Sequence, residues 1–136
     1  MAKRVLIVDD HPPTRSVLRA ILESEKTVAF EIVEAANGRE CLDLFEGSGP
    51  FDLVLLDVNM PDIDGYEACR GIRAKDAQVP VVFVTANKDM KDYAAGRAAG
   101  GDSYLVKPVA RAALRSIVSL FTSMGRRSAS PDAPKA

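Results

Sequence analysis

The most constraining feature of this chain is a set of four short apolar runs, each of which ends at a polar residue. The runs VLIV, LVLL, VVFV and YLV lead into Asp9, Asp57, Thr85 and Lys107, respectively. A strand that is apolar on both faces is typical of a parallel sheet that helices cover on both sides. Because ligands bind at the carboxyl edge of such sheets, the sequence predicts a functional site formed by these four residues and Asp10.

Segments of helical length separate these strands, and they carry apolar residues three or four positions apart. This alternation of strand and helix is the signature of βαβ units and a parallel sheet. At 136 residues, the chain is long enough for one α/β domain with a single core. We predict strands at about residues 4–8, 30–35, 53–56, 81–84 and 103–106, and helices at about 13–24, 39–46, 66–74, 88–99 and 111–123.

The same spacing predicts which residues of the helices face the core. The apolar stripe of the first helix consists of Val17, Leu18, Ile21 and Leu22. Cys41 and Cys69 share no CxxC or Cys/His spacing, so we expect them to be small packing residues of the second and third helices. Residues 124–136 are polar, small and proline-containing, which predicts a disordered tail.

The overall charge limits the classes of partner. The chain carries 18 basic and 19 acidic residues, for a formal net charge of -1. This balance argues against binding to nucleic acid or to a membrane surface through bulk electrostatics. No apolar stretch approaches the roughly 18 residues that a membrane-spanning helix needs. We therefore expect a cytoplasmic protein without direct contact to nucleic acid or membrane.

The acidic residues at the sheet edge need a counter-charge. If the first and third strands are neighbours, as in a flavodoxin-like doubly wound sheet of order 2-1-3-4-5 with helices on both faces, Asp9, Asp10 and Asp57 share one cleft. At a separation of about 5 Å and an effective dielectric constant near 20, each carboxylate pair repels by roughly 3 kcal/mol. Lys107 alone leaves a local charge of about -2. Hard carboxylate oxygens favour Mg²⁺, or Mn²⁺ in its place, as the balancing ion.

A site of this composition is suited to phosphoryl transfer. With a divalent cation beside it, the carboxylate of Asp57 can attack phosphorus in line and become an aspartyl phosphate. Lys107 and the Thr85 hydroxyl would each pair with a phosphoryl oxygen, and the Ala86 backbone N–H would be a third donor. The residues therefore predict a phosphoryl acceptor.

Four segments of the chain resemble the motifs of response-regulator receiver domains of two-component signalling. They are VLIVDD, LVLLDVNMPDIDGYE, VVFVTA and GGDSYLVKP, and the resemblance spans about residues 3–123. It implies that residues 1–123 form a receiver domain whose Asp57 takes a phosphoryl group from a small acyl phosphate or a phosphohistidine. The phosphohistidine would belong to a sensor histidine kinase or a histidine phosphotransfer protein. Phosphorylation and dephosphorylation would be self-catalysed, without a separate substrate.

The resemblance also assigns roles to the residues at the sheet edge. The metal ligands would be Asp10, Asp57 and the backbone carbonyl of Asn59, with Asp9 holding a metal-bound water. The phosphoryl-binding groups would be Thr85, Ala86 and Lys107. Each of these residues has an ordinary structural explanation when taken alone, and only their joint placement predicts the site.

An aromatic switch is a further implication of the resemblance, and Tyr104 is at its position. Phosphorylation would draw Thr85 and Lys107 inward, and Tyr104 would change rotamer to fill the space. The face formed by the fourth helix, the fifth strand and the fifth helix would then change its affinity for an unknown downstream partner. In this family the bond between Lys107 and Pro108 is cis, whereas the sequence alone favours trans.

The chain departs from the family pattern at a few positions. His11 follows the acidic pair where another acidic or amide residue is common, and we expect a solvated loop histidine. Ser103 occupies a position that is often acidic, and the fifth helix begins ARAALR without the acidic residues that pair receivers of DNA-binding regulators. These departures favour a monomer or a weak dimer.

Alternative functions are open at this point. The chain can be the receiver half of a longer regulator, or a member of a phosphorelay. A phosphatase of the haloacid dehalogenase class also uses Asp, Mg²⁺, Thr and Lys, but it needs a second Asp two residues after its nucleophile as the general acid. Asn59 is at that position, and an amide cannot supply that proton.

Overall fold

The computed structural model describes residues 2–86 and 90–123. Its strands are β1 (Lys3–Val8), β2 (Phe30–Ala35), β3 (Leu53–Asp57), β4 (Val81–Thr85) and β5 (Ser103–Val106). Its helices are α1 (Pro12–Glu23), α2 (Gly38–Ser48), α3 (Gly65–Lys75), α4 (Met90–Ala98) and α5 (Arg111–Ser123). The tail predicted at 124–136 and the predicted start of the fourth helix at Lys88 lie outside the described residues.

The five strands form one parallel sheet in the order β2-β1-β3-β4-β5. This confirms the predicted order 2-1-3-4-5. The strand order reverses beside β1, which lies between β2 and β3. Val8 is opposite Leu56 in the pairing of β1 with β3, so the carboxyl ends of these two strands are level. Asp9 and Asp57, the residues that follow this pair, are therefore brought together.

The core has two parts, one on each face of the sheet. Helices α1 and α5 pack on one face through Leu18, Ile21, Leu22, Leu114 and Val118. Helices α2 and α3 pack on the other face through Cys41, Phe45, Ala68, Cys69 and Ile72. Strands β3 and β4 are buried along their whole length, as the apolar runs predict. No helix in the described part of the chain is long and apolar enough to cross a membrane.

The two cysteines are packing residues, as predicted. Both are fully buried. Burial, together with the neighbouring Cys69, raises the pKa of the Cys41 thiol to about 12. A thiol with such a pKa stays protonated at neutral pH and is a poor nucleophile or metal ligand.

The prediction for Val17 is wrong. Leu18, Ile21 and Leu22 are buried, but Val17 is 54% exposed. Successive helical residues are about 100° apart, so Val17 is beyond the edge of the arc that the other three residues define. It lines a surface cleft with Pro108 and Val109.

A largely buried ion pair connects the end of α3 to the turn before β5. Arg73 pairs with Asp102 at 3.0 Å, and it also donates hydrogen bonds to the carbonyl oxygens of Val79 and Gly100. Asp102 accepts a further hydrogen bond from the Val81 N–H at 2.9 Å. The pair therefore satisfies three backbone groups, in the segments that lead into β4 and β5, that helix and sheet bonding leave open.

Replacing Arg73 by Met should lower the free energy of unfolding by about 2–4 kcal/mol, because it leaves a largely buried carboxylate without its cation. Lys75→Met on the same helix is the matched control, since Lys75 pairs with an exposed carboxylate of Glu46. We expect the control to lower the free energy of unfolding by less than about 0.5 kcal/mol. Urea unfolding measures both values, and equal losses would contradict the role of Arg73.

Candidate functional site

The predicted polar residues lie together at the carboxyl edge of the sheet. Asp57 is the last residue of β3 and Thr85 the last of β4, while Asp9 and Lys107 directly follow β1 and β5. Ligand oxygens of Asp9, Asp10 and Asp57 lie within 4.8 Å of one another. Asp9 and Asp57 are buried and Asp10 is exposed, so the cluster opens to solvent on one side.

Lys107 is the internal counter-charge of the two buried acids. Its Nζ lies 2.9 Å from Asp9 Oδ2 and 3.3 Å from Asp57 Oδ1. Burial lowers the pKa of Lys107, but the two carboxylates outweigh this effect and the pKa is raised overall. Lys107 is therefore a cation at neutral pH. The bond from Lys107 to Pro108 is cis, as the family resemblance implies.

The Asp9 carboxylate has one oxygen that is suited to a further positive partner. Its Oδ1 accepts a hydrogen bond from the His11 N–H at 2.8 Å. Its Oδ2 is buried and, within the described residues, accepts no hydrogen bond of good geometry, although Lys107 is near. A buried carboxylate oxygen in this condition fits a metal ion or a metal-bound water.

The Asp57 carboxylate is held in an environment that disfavours its charge. Burial and the charge of Asp9 raise the pKa of Asp57 to about 6, and Lys107 offsets this shift only in part. The Asn59 N–H lies 3.4 Å from Asp57 Oδ1, at the long end of the hydrogen-bonding range. A divalent cation would favour the ionised form of this carboxylate.

The segment after β3 passes very close to the start of α3. The Gly65 N–H donates a hydrogen bond to the Val58 carbonyl at 2.8 Å, and a Cβ on Gly65 would overlap the Asp57 carbonyl oxygen. Only glycine allows this approach. Gly65 therefore fixes the backbone that carries Asp57.

Thr85 and Ala86 are at the end of the strand next to β3. Asp57 pairs with Val84, so Thr85 is one residue beyond the pair. Thr85 is fully buried and Ala86 is exposed. The Thr85 carbonyl oxygen accepts a hydrogen bond from the Lys107 N–H at 2.9 Å, which connects the backbones of the two residues. Asn87 lies outside the described residues.

A family model of the response regulator receiver domain matches residues 5–119. The chain belongs to this family. The match covers most of β1, the other four strands and most of α5, and it confirms the resemblance stated from the motifs.

Individual relatives agree with this assignment. The receiver resembles the chemotaxis protein CheY4 of Vibrio cholerae, with a TM-score of 0.81 and 28% identity over 89% of this chain and 99% of that chain. It also resembles the receiver domain of the sensor histidine kinase PA1611 from Pseudomonas aeruginosa PAO1, with a TM-score of 0.80 and 31% identity over 90% of this chain and 99% of that chain. That structure has a magnesium ion coordinated in its active site cleft.

A longer relative is the "Probable transcriptional regulator ycf27" of Guillardia theta, which is 42% identical over 78% of this chain and 40% of its own length. The chain spans about half the length of the curated relatives it matches. The expectation of no contact with nucleic acid is not supported, because these relatives are named as transcriptional regulators. Receiver domains of this family bind Mg²⁺ in an acidic pocket and interact with sensor histidine kinases.

An aromatic cluster surrounds the predicted switch residue of the receiver. Tyr104 is half-buried, and its hydroxyl lies 2.9 Å from the hydroxyl of Tyr66 on α3. The centroid of its ring is 5.2 Å from the ring centroids of both Phe83 and Tyr93, and the ring stacks on that of Tyr93. A Cβ on Gly96 would approach the Tyr104 hydroxyl to 2.5 Å, so the glycine in α4 makes room for the ring. Sequence reasoning missed the parts played by Tyr66 and Gly96.

Replacing Asp57 by Asn should stabilise the metal-free receiver by about 2–3 kcal/mol near pH 7.5, because it removes a buried charge whose pKa is raised from 3.8 to about 6. Between these two pKa values the folded wild type binds a proton that its unfolded chain releases. The difference should therefore shrink as the pH falls from about 6.5 to about 4. Urea unfolding in EDTA measures this difference in the free energy of unfolding between Asp57→Asn and the wild type. A difference that grows on acidification would contradict the interpretation.

Replacing Tyr66 by Phe should shift the rotamer equilibrium of Tyr104 away from the observed rotamer by roughly 2–10-fold, because a hydrogen bond worth about 0.5–1.5 kcal/mol is lost. Three-bond couplings to the Tyr104 Hβ atoms measure the populations. Tyr93→Phe is the matched control, since it removes a hydroxyl but keeps the stacked ring. Equal effects of the two substitutions would contradict a specific role of Tyr66.

Proposed function

We propose that this receiver is a phosphoryl-accepting signalling switch in which Asp57 becomes an aspartyl phosphate. The observation that carries the proposal is the convergence of three carboxylates and Lys107 at one sheet edge, with Asp57 and Asp9 buried. Buried acids held together at a cost to stability are typical of functional sites. The proposal includes no separate substrate, so both transfer and hydrolysis are reactions of the receiver itself.

A Mg²⁺ ion fits the acidic cluster, and we assign it to Asp10, Asp57 and the carbonyl of Asn59, with Asp9 acting through water. The incompletely bonded Asp9 oxygen and the close carboxylate set support this assignment. When bound, the cation neutralises the acids and stabilises charge on a phosphoryl oxygen. Mn²⁺ has the same ligand preferences and is proposed to substitute.

The transfer step is a substitution at phosphorus. A carboxylate oxygen of Asp57 forms the new O–P bond while the bond from phosphorus to the donor nitrogen or oxygen breaks, and the leaving group departs with the electron pair. Lys107 exchanges part of its contact with Asp57 for a phosphoryl oxygen. The Thr85 hydroxyl and the Ala86 N–H donate to the remaining oxygens, so the developing charge meets fixed donors.

The switch requires phosphorylation to change the position of Tyr104. The hydroxyl pair with Tyr66 stabilises one rotamer of Tyr104 by about 0.5–1.5 kcal/mol. Phosphoryl contacts shift this equilibrium by the free energy by which they differ between the two states, and a difference of this size offsets the hydroxyl pair. Tyr104 and the exposed Tyr93 and Val106 connect this rotamer to the surface formed by α4, β5 and α5, which we propose as the output face.

The proposed partners are a sensor histidine kinase or a histidine phosphotransfer protein upstream and a downstream target of the output face. The relatives are about twice as long as this chain, which supports the alternative that it acts as the receiver half of a longer regulator. In that case nucleic acid becomes a partner of the whole protein. We further propose a cytoplasmic location and a monomer or weak dimer for the receiver.

Incubation with Mg²⁺ and acetyl phosphate should add one phosphoryl group to the wild type, as measured by intact mass. Asp57→Asn should add none, because an amide oxygen is a poor nucleophile and lacks the charge of the carboxylate. Asp62→Asn is the matched control and should react like the wild type. Asp62 is an exposed acid of the same loop, and its φ of 67° is one that asparagine adopts readily.

Two results would refute the proposed function. One is an adduct of equal yield on Asp57→Asn, which would assign the phosphoryl group to another residue. The other is a wild type without a Mg²⁺-dependent reaction, because it either gains no phosphoryl group with Mg²⁺ present or reacts equally well in EDTA.

A further inference from the structure

We propose that Arg15 is a positioning residue that holds the Asp9–Asp10 segment in the geometry needed to bind the divalent cation. This inference rests on the proposed function, because it concerns the metal site of the same pocket. Arg15 lies on α1, outside the set of residues that the family resemblance assigns to the site.

The contact that carries the inference is a hydrogen bond from Arg15 Nη1 to the carbonyl oxygen of Asp9, at 2.6 Å. The pairing of β1 with β3 ends at Val8, so the Asp9 carbonyl lies beyond the last paired residue of that ladder. The Asp9 N–H still donates to the Ala35 carbonyl at 3.1 Å. Arg15 therefore supplies the bond that the sheet does not supply at this carbonyl.

Arg15 is itself held in place from a second direction. Its Nε donates a hydrogen bond to Glu34 Oε1 on β2 at 2.9 Å, and its side chain is only 17% exposed. Glu34 is opposite Ile7 in the pairing of β1 with β2, close to the end of both strands. The guanidinium thus spans from β2 to the end of β1, with both donors in fixed directions.

Holding the Asp9 carbonyl has a direct consequence for Asp10. The peptide group that joins the two residues is planar, so fixing its carbonyl oxygen also fixes the direction in which the chain enters Asp10. The carboxylates of Asp9, Asp10 and Asp57 repel one another within 4.8 Å. Without Arg15, the peptide between Asp9 and Asp10 can rotate and move the carboxylates apart, which relieves their repulsion. The carboxylates are then no longer arranged to bind the cation.

The sign of the effect separates this role from simple electrostatics. A guanidinium near an acidic pocket repels a divalent cation, so electrostatics alone predicts that removing Arg15 tightens Mg²⁺ binding. Positioning predicts the opposite. The direction of the change in affinity is therefore decisive.

The chain offers a matched control in Arg19. Arg19 is one turn further along α1, and its Nε donates to the other oxygen of Glu34 at 2.6 Å. Its remaining partners are Glu23 and the carbonyl of Ile32. Arg19→Gln removes the same charge and the same kind of ion pair to Glu34 as Arg15→Gln, and it leaves the bond to Asp9 in place.

The experiment is a Mg²⁺ titration of the full chain, followed through the backbone amide resonances of Asp9, Asp10 and Asp57. We expect Arg15→Gln to weaken Mg²⁺ binding about 10-fold or more, the usual effect of removing a residue that orients metal ligands. We expect Arg19→Gln to change it less than about 2-fold. Unchanged or tighter binding in a folded Arg15→Gln variant overturns the inference, and so does equal weakening in both variants.

Two additions keep the test decisive. If Arg15→Gln does not fold, Arg15→Met keeps the aliphatic stem, and the same outcomes apply to it. At saturating Mg²⁺, phosphorylation of the Arg15 variant by acetyl phosphate should approach the wild-type rate, because Arg15 touches no reacting atom. A rate that stays low would place Arg15 at the reacting group and overturn the positioning role.

Failure of this inference can be distinguished from failure of the proposed function. If the wild type shows no Mg²⁺-dependent shifts at the three acidic residues, the metal site itself is wrong. If the wild type shows these shifts and Arg15→Gln binds as tightly, the proposed function stands and only the role of Arg15 is refuted.

Discussion

The whole site depends on the register between β1 and β3. Because Val8 pairs with Leu56 and an acid follows each of them, Asp9 and Asp57 meet in the interior. Register in a buried sheet is set by which side chains face the core, and a slip of one residue would turn one strand's side chains to the opposite face. The apolar residues that stabilise the sheet therefore also hold two like charges together, with Lys107 as the cation that makes this tolerable.

The strands and the acidic cluster could be predicted from sequence because their signals are local. Each strand is a short apolar run that ends at a polar residue, and parallel strands bring those ends to one edge. Val17 shows where this reasoning stops. Helical spacing predicts an apolar stripe but not its width, and Val17 lies beyond the edge of the buried arc, where it lines a surface cleft with Pro108 and Val109.

The contributions of Arg15 and Tyr66 could not be predicted, because each acts through a contact that sequence does not encode locally. Arg15 looks like an ordinary charged residue of an amphipathic helix, and its partner at the site is a backbone carbonyl without any side-chain signal. Tyr66 is 38 residues from Tyr104. The two hydroxyls meet only when β5 has joined the sheet and α3 has packed on its face. The acidic cluster can therefore be predicted from the sequence, whereas the hydrogen bonds of Arg15 and Tyr66 are identified only from the fold.

Gly96 has a consequence for how sequences of this type can vary. A glycine inside a helix is unfavourable by about 1 kcal/mol relative to alanine, yet a methyl group here would collide with the rings of Tyr104 and Phe83. Helix stability and ring size are thus opposed at this pair of positions. An alanine at this position would require the rings of both Tyr104 and Phe83 to shift, so the residue in α4 and the rotamer of Tyr104 are coupled.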